Sequence, residues 1–242
     1  MAEKPTRVLI VGAGGHGQVV ADILWRCYEQ DRRCWPVGYL DDDPSLHGRF
    51  LLELPVLGPI AQVDRIAHDA LVVAIGDNRI RRSLYESLAQ RGERFARAVH
   101  PRAAVAPDAQ VGPGTVIAAG AVVNPGCAVG ANVILNTGAT VDHHCHIEAH
   151  AHVAPGAHLG GGVSVGCGAL VGMGAILLPG RRVGPWAVVG AGAVVVTDVP
   201  AATTVVGIPA RPQALQAPST PAGRGPGFDT PAGRCEAEGG HR

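Results

Sequence analysis

The stretch AVGANVILNTGATVDHHCHIEAHAHVAPGAHL, residues 128–159, carries an aliphatic side chain at every sixth position. The same spacing runs without a break from Val105 to Val195, which makes sixteen consecutive hexapeptides. Four residues after each aliphatic position the side chain is small, with Arg181 as the clear exception. A period of six is typical of a parallel β-helix, and of neither an α-helix nor an ordinary strand.

Each hexapeptide forms one short strand and turn that cannot bury its aliphatic side alone, so the repeats must stack around a shared core. Three hexapeptides make one coil of a triangular solenoid, and residues eighteen apart then lie above one another at about 4.8 Å. This register predicts that Cys127 and Cys145 stack in one inward column. The function has to be inferred from residues that depart from the repeat.

The solenoid divides the chain into three predicted segments. Residues 1–98 alternate short apolar strands with apolar stripes at helical spacing, which indicates a small α/β unit. Residues 99–211 form the β-helix. Residues 212–242 are rich in Pro, Gly and Ala and have almost no large apolar side chains, so they are predicted to be a disordered tail.

A glycine motif, Gly12-x-Gly14-x-x-Gly17, follows the first predicted strand and opens the first predicted helix. Glycines in this position allow backbone N–H groups and the helix dipole to approach a phosphate. Asp41 and Asp42 end the second predicted strand, where carboxylates can accept hydrogen bonds from sugar hydroxyls. The pattern favours a nucleotide that carries a sugar. A dehydrogenase fits less well, because a dinucleotide normally binds across two βαβ halves and this segment holds only one. The third alternative is a glycine-rich turn that only packs a helix on a sheet.

Histidine is concentrated in one part of the β-helix, where six of the eleven histidines fall within sixteen residues. They are His143, His144, His146, His150, His152 and His158. None occupies an aliphatic or small inward position, so the pattern predicts that they point outward or lie at corners. Such a cluster suits a general base, because imidazole titrates near neutrality. Three neutral imidazoles could alternatively hold Zn²⁺.

Composition argues against several classes of function. The 20 basic and 20 acidic side chains cancel, and no stripe of Lys and Arg with interleaved aromatic residues points to a nucleic acid. No apolar run is long enough to span a bilayer, and the N-terminus lacks the pattern of a signal peptide. The six cysteines show no CxxC spacing, which favours reduced thiols. We therefore expect a soluble, cytoplasmic protein without membrane insertion.

Five sequence islands together resemble the sugar O- and N-acyltransferase family of hexapeptide transferases, which includes the bacillosamine-pathway, perosamine and sialic acid acetyltransferases. The islands are GAGGHG at 12–17, LDD at 40–42, AIGDNRIR at 74–81, LNT at 135–137 with VDH at 141–143, and VGIPAR at 206–211. The resemblance implies a Rossmann-like α/β domain followed by a left-handed β-helix. It also implies acetyl-CoA as co-substrate, no metal, and a homotrimer with a coenzyme groove between neighbouring subunits.

The resemblance assigns roles residue by residue. The general base is His143, and the polar residues assigned to its surroundings are Asp142, Asn136 and His144. The coenzyme residues are His152, Gly161, Met173 and Ala191. The residues for a nucleotide-linked amino sugar are Gly14, Gly15, His16, Asp41, Asp42, Gly76 and Asn78. The implied reaction is direct acetyl transfer to the amino group of that sugar, in the synthesis of surface glycans or glycoprotein sugars.

One departure from the family pattern concerns the base. Better-known members have Glu immediately after it, where this chain has His144. A carboxylate there would orient the imidazole and raise its basicity. A histidine could orient it without supplying charge, and Asp142 or Glu148 could substitute for the carboxylate, which leaves open whether His143 or His144 is the base. The acceptor is open as well. Sialic acid O-acetylation is the alternative, while a non-catalytic binding module and a zinc protein of the carbonic anhydrase type are less favoured, because the latter needs no nucleotide-sized module.

Overall fold

The computed structural model describes residues 4–213, which form two units. The N-terminal unit is a Rossmann-like α/β domain. Its strands are β1 (Thr6–Val11), β2 (Cys34–Leu40), β3 (Phe50–Leu51), β4 (Leu54–Gly58) and β5 (Ala70–Val73). Its helices are α1 (Gly15–Asp31) and α2 (Asn78–Gln90), with short 3₁₀ helices at Pro44–Leu46 and Ile60–Arg65. The strands lie in the order β3-β4-β2-β1-β5, and β1 is parallel to both β2 and β5.

The centre of this sheet is buried on both faces. Residues 8–11 of β1 and 71–73 of β5 are fully buried, as expected for parallel strands that have packing on both sides. On one side, α1 presents the apolar stripe that the sequence predicts, including Val20, Ile23 and Leu24. On the other side, Leu88 of α2 packs in a second cluster. The sheet is thus held rigidly between layers, and its carboxyl edge positions the glycine motif.

The second unit is a left-handed parallel β-helix with three faces. Its first face is made of β6 (Ala98–Val99), β9 (Val116–Ile117), β12 (Ile134–Leu135), β15 (His152–Val153), β18 (Leu170–Val171), β21 (Val188–Val189) and β23 (Thr204–Val206). The second face is made of β7 (Ala104–Val105), β10 (Val122–Val123), β13 (Thr140–Val141), β16 (His158–Leu159), β19 (Ile176–Leu177) and β22 (Val194–Val195). The third face is made of β8 (Gln110–Val111), β11 (Ala128–Val129), β14 (His146–Ile147), β17 (Ser164–Val165) and β20 (Arg182–Val183).

The register along each face is eighteen residues, as the repeat predicts. Val123 pairs with Val141, for example, and Val141 pairs with Leu159. The second residue of nearly every strand points inward into one continuous hydrophobic cluster that runs the length of the solenoid. Cys127 and Cys145 are 2% and 1% exposed in that cluster, so the predicted column of inward cysteines is confirmed.

The two units share a hydrophobic core. Ala98, Val116 and Ala118 on the first face of the β-helix belong to the same buried cluster as Val8 and Ile10 of β1. Because apolar surface from both units is removed from water in a single cluster, their relative placement is stabilised by the hydrophobic effect. The first face of the solenoid therefore carries the α/β unit on its outer side.

Helix α2 runs along one corner of the solenoid, between the third and first faces. It meets one turn residue in each successive coil, and we name these residues the docking column: Gly114, Asn132, His150, Gly168 and Trp186. The Cβ of any side chain at the first of these positions would lie 2.8 Å from the ring of Tyr85, just past the middle of α2. The last member packs against Arg79, near its N-terminal end.

Near the C-terminal end of the described part, β24 (Arg211–Pro212) pairs antiparallel with β23. Residues 214–242, which make up nearly all of the predicted tail, lie outside the described residues. Within residues 4–213, neither of the two α-helices has the length and apolar character needed to cross a membrane.

Candidate active site

The glycine motif closes the first βα connection tightly. Gly12 has a φ of +106°, which disfavours any other residue. A Cβ on Gly17 would lie 2.1 Å from the carbonyl oxygen of Gly12, so helix and strand can approach this closely only through glycine. In the described part of the chain, no side chain caps the start of α1 at Gly14. The free N–H groups of the first turn are therefore available to an anionic group.

Asp41 and Asp42 connect the loops at this edge of the sheet. One carboxylate oxygen of Asp41 accepts a 2.7 Å hydrogen bond from the N–H of Ala13, and the other accepts a 2.9 Å bond from the N–H of Asp43. Asp42 accepts a 2.9 Å bond from the N–H of Ile60. Both carboxylates thus order the loops, and each oxygen keeps a lone pair for a sugar hydroxyl.

His16 and His152 meet between the two units, with Gly76 beside them. Burial and the nearby positive charge of Arg81 lower the pKa of His16 to about 4. The same two causes, with a contribution from His16, lower the pKa of His152 to about 4, although a hydrogen bond to the backbone of Gly76 opposes the shift. Both imidazoles are therefore neutral at neutral pH. The structure brings these three residues together although the resemblance assigns them to different ligands.

Arg81 is the residue that sequence reasoning missed. Its side chain is only 1% exposed and has no carboxylate partner among the ion pairs of residues 4–213. The guanidinium donates to five carbonyl oxygens, and these belong to Ile75, Gly76, Asn132, His150 and Ala151. Burial lowers its pKa to about 10. The island at 74–81 contained this arginine, but a charged residue on a helix gave no sign of burial.

The N-terminus of α2 docks on the solenoid and borders a cleft between the units. Asp77 caps the helix by accepting from the N–H groups of Arg79 and Ile80. The side-chain amide of Asn78 donates to the carbonyl oxygens of Gly168 and Ala169 at 3.1 and 3.2 Å. The cleft has a volume of about 350 Å³, and its lining includes Gly76, Asn78, Arg79, His152, Leu170 and Trp186.

His143 and His144 form a close pair at the corner between the second and third faces. Their Nδ1 atoms are 3.0 Å apart, and their rings are inclined at 79° with centroids 5.2 Å apart. A Cβ on Gly161 would lie 2.6 Å from Cε1 and 2.7 Å from Nε2 of His143. A Cβ on Gly126 would lie 2.8 Å from Cδ2 of His144. Each ring therefore occupies space that a glycine in a neighbouring coil leaves open.

The carboxylates near this pair are engaged with other groups. Asp142 accepts a 2.8 Å bond from the backbone N–H of His143 and a 2.9 Å bond from the amide of Asn124. The first of these bonds is the largest cause that lowers the pKa of Asp142. Glu148 accepts a 2.8 Å bond from the N–H of Cys167 in the next coil, at the corner between the third and first faces. Asp142 thus supports the backbone of His143 and makes no hydrogen bond to its ring.

The other predicted residues lie at a different corner of the solenoid. Asn136 is at the corner between the first and second faces, and its amide donates to Nε2 of His152 at 3.2 Å. It is therefore seven residues and one whole face away from His143, which it was expected to accompany. Met173, which is 60% exposed, and the exposed Ala191 follow at the same corner in later coils. Of the predicted coenzyme residues, only Gly161 lies beside His143.

The histidine cluster divides by environment. His143, His144, His146 and His158 are exposed, as predicted. His150 lies at a corner but is only 7% exposed, because α2 covers it, and its Nδ1 is 2.9 Å from the amide of Asn132. It is therefore a structural residue of the docking column. No group of three potential metal ligands converges among residues 4–213 of one subunit.

Comparison with known proteins gives consistent matches over both units. Residues 7–88 match the family model of the PglD N-terminal domain. No curated protein sequence matches the chain. The chain is similar to the acetyltransferase domain of PglB from Neisseria gonorrhoeae in complex with acetyl coenzyme A, with 37% identity and a TM-score of 0.81, over 86% of this chain and 100% of that one.

Further solved structures cover an equal share of the chain. PerB from Caulobacter crescentus, in complex with CoA and GDP-perosamine, is 37% identical with a TM-score of 0.79, over 86% of this chain and 97% of that one. Variants of the perosamine N-acetyltransferase from that organism, each with one histidine replaced, are matched as well. WeeI from Acinetobacter baumannii is 26% identical with a TM-score of 0.72, over 86% and 100% of the two chains.

Proposed function

This chain belongs to the sugar O- and N-acyltransferase family of left-handed β-helix hexapeptide transferases and is an acyltransferase; we propose that it transfers the acetyl group of acetyl-CoA to the amino group of a nucleotide-linked amino sugar. The observation that carries this proposal is the 37% identity to a perosamine N-acetyltransferase solved with CoA and GDP-perosamine. That match spans both units of the chain, so it includes the glycine motif and the histidine corner together.

His143 is the general base in this proposal. Its ring is exposed at a corner, its backbone is held by Asp142, and its Cε1–Nε2 edge lies over Gly161. When the amine nitrogen forms a bond to the thioester carbonyl carbon, the carbon–sulfur bond breaks and the thiolate leaves. His143 takes the proton from the amine and returns it to the thiolate, so the enzyme emerges unchanged. Because the thioester is already activated, positioning supplies most of the acceleration.

The separation of the predicted residues supports a site shared by two subunits. His143 and Gly161 lie at one corner, whereas Asn136, Met173 and Ala191 lie at the preceding corner. Six residues of extended chain separate equivalent points of adjacent corners, which is about 20 Å at 3.3 Å per residue. We propose that the protein is a homotrimer, in which the corner that carries Asn136, Met173 and Ala191 in one copy lies beside the His143 corner of its neighbour. The exposed Ile176 and Leu178 supply apolar surface for that contact.

The nucleotide sugar is placed at the α/β unit. The uncapped start of α1 at Gly14 and Gly15 suits its phosphates, and the lone pairs of Asp41 and Asp42 suit its hydroxyls. His16 and Gly76 lie between this edge and His152 on the solenoid. This arrangement directs the sugar toward the solenoid, where the acetyl group is transferred.

The testing experiment follows thiol release from acetyl-CoA with UDP-, GDP- and dTDP-linked amino sugars, together with CMP-sialic acid and free sialic acid. We expect turnover with an amino-sugar nucleotide and none with the sialic acids. In His143→Ala, kcat should fall by about two to four orders of magnitude, while His146→Ala, which alters an exposed histidine of the same cluster, should keep wild-type kcat. Turnover with sialic acids alone, or no thiol release with any of these substrates, would overturn the proposal.

A further inference from the structure

His144 occupies a backbone position that glycine holds in the adjacent coils. Its φ is +56°, in the left-handed region that L-residues rarely adopt. The equivalent residues one coil before and one coil after are Gly126 and Gly162, with φ of +73° and +68°. For this backbone conformation, a histidine is thus less favourable than the glycine found at the equivalent position of the two adjacent coils. The docking-column residues His150 and Trp186 also have a positive φ, so it is the contact made by the side chain of His144 that identifies its role.

The contact between the two histidines requires a proton. Nδ1 of His143 and Nδ1 of His144 are 3.0 Å apart, and two unprotonated nitrogens at that distance would repel through their lone pairs. A neutral imidazole has one N–H donor and one acceptor nitrogen. The neutral pair must therefore consist of one ring protonated on Nδ1 and one ring that accepts through Nδ1. Only the ring that carries its proton on Nδ1 has its Nε2 free to take another proton.

The nearby carboxylates make no hydrogen bond to the ring of His143. Asp142 uses Oδ1 for the N–H of His143 and for Asn124, and Glu148 is bound to the N–H of Cys167. The ring nitrogens of His143 make no other hydrogen bond within residues 4–213. His144 is consequently the group that decides which nitrogen of His143 carries the proton.

We infer that His144 is a positioning residue, which accepts a hydrogen bond from Nδ1–H of His143 and so holds the Nε2 of His143 unprotonated toward the acceptor amine. This inference rests on the proposed function, since it gives His143 the role of base. His144 thereby takes the place of the carboxylate that other family members have there, with a neutral acceptor instead of a charged one. Fixing the tautomer and ring orientation of a functional histidine is a known role of such partners.

The first test uses substitutions that separate fold from positioning. His144→Gly places at this position the same residue that the adjacent coils have there, which is glycine. The melting temperature of this variant should therefore stay equal or rise. Its kcat should nevertheless fall by about 10- to 100-fold, with KM for acetyl-CoA and for the sugar nucleotide unchanged. His144→Asn should recover most of that loss, because Oδ1 of asparagine has the same reach as Nδ1 and asparagine tolerates the left-handed region. His146→Ala is the control and should behave as wild type.

The second test observes the proton directly. Long-range ¹H–¹⁵N spectra of the whole protein, assigned with the His143→Ala and His144→Gly variants, should show the Nδ1–H tautomer for His143 and the Nε2–H tautomer for His144. In His144→Gly, the ring of His143 should change to a mixture dominated by Nε2–H. The Nε2–H tautomer of His143 in the wild type, or full kcat in His144→Gly, would overturn the inference while leaving the proposed function intact. Full kcat in His143→Ala would overturn both.

Discussion

At the scale of single residues, the histidine corner depends on the absence of side chains in neighbouring coils. The ring of His143 lies over Gly161, and the ring of His144 lies over Gly126. Because residues eighteen apart are stacked at about 4.8 Å, a ring that leans along the solenoid must use space that belongs to the next coil. The glycine at 161, which the resemblance assigned to the coenzyme groove, therefore also shapes the base.

Gly161→Ala tests this packing. Gly161 does not have a left-handed φ, so its backbone accepts alanine, but the new Cβ would lie 2.6 Å from the ring of His143. The ring must move, and we expect kcat to fall by about tenfold or more with little change in melting temperature. The same substitution made in His143→Ala should have no further effect on kcat. Independent, multiplicative losses in that double-mutant cycle would contradict the contact.

At the scale of secondary-structure elements, the sequence predicts most of what is observed. The hexapeptide period predicts the strands of the three faces from β7 to β22. The residue pattern also predicts a second helix over residues 79–91, and α2 lies at Asn78–Gln90. The residues at 37–40 by themselves predict only the last part of β2, which begins at Cys34 because it pairs with β1 from Thr6 onward. That extension depends on a long-range partner, which local propensity does not contain.

The connection between β1 and α1 depends on one glycine. In Gly17→Ala, the added Cβ would lie 2.1 Å from the carbonyl oxygen of Gly12, so α1 would have to move away from the sheet. We expect the free energy of unfolding to fall by about 2 kcal/mol, measured by urea denaturation. Gly14→Ala is the matched control, because its Cβ has no neighbour within 4 Å. Equal stability of the two variants would contradict this account.

At the scale of the whole molecule, Arg81 ties the α/β unit to the solenoid. Its five N–H groups all donate to backbone carbonyls, two on the loop before α2 and three on the β-helix. Sequence reasoning could not identify this role, because a lone arginine on an amphipathic helix looks like a solvated residue until its tertiary partners are known. The contact between the two histidines at the corner was inaccessible for the same reason, since it depends on ring orientation.

Arg81→Met tests how much the hydrogen bonds of Arg81 contribute to stability. The apolar side chain fills similar space but leaves carbonyl oxygens of both units without donors, so the free energy of unfolding should fall by about 3 kcal/mol. Arg82→Met is the control on the same helix. Arg82 forms a partly exposed pair with Glu86, and its loss should cost about 0.5 kcal/mol. Similar losses for both variants in urea unfolding would show that the buried guanidinium contributes no more than a surface charge.

The stability of the domain contact should depend on pH. His16 and His152 have folded-state pKa values lowered to about 4, with burial as the largest cause, against about 6.5 in an unfolded chain. Between these values the unfolded state binds more protons, so stability present above pH 6.5 is lost as the pH falls toward 4. The slope of melting temperature against pH in this window should be smaller in His152→Gln, whose amide oxygen can still accept from Asn136. An unchanged slope would contradict the burial of a neutral His152.

The docking column has a consequence for how this architecture can change length. The side chains of helix α2 contact the same corner in five successive coils, from Tyr85 at Gly114 to Arg79 at Trp186. Adding or deleting a coil inside that interval would break some of these contacts between the helix and the corner. Beyond Trp186, α2 makes no such contact with the turns at this corner in the described part of the chain. Insertions and losses of whole coils during evolution should therefore accumulate at the C-terminal end of the solenoid, while the segment beside α2 keeps a fixed number.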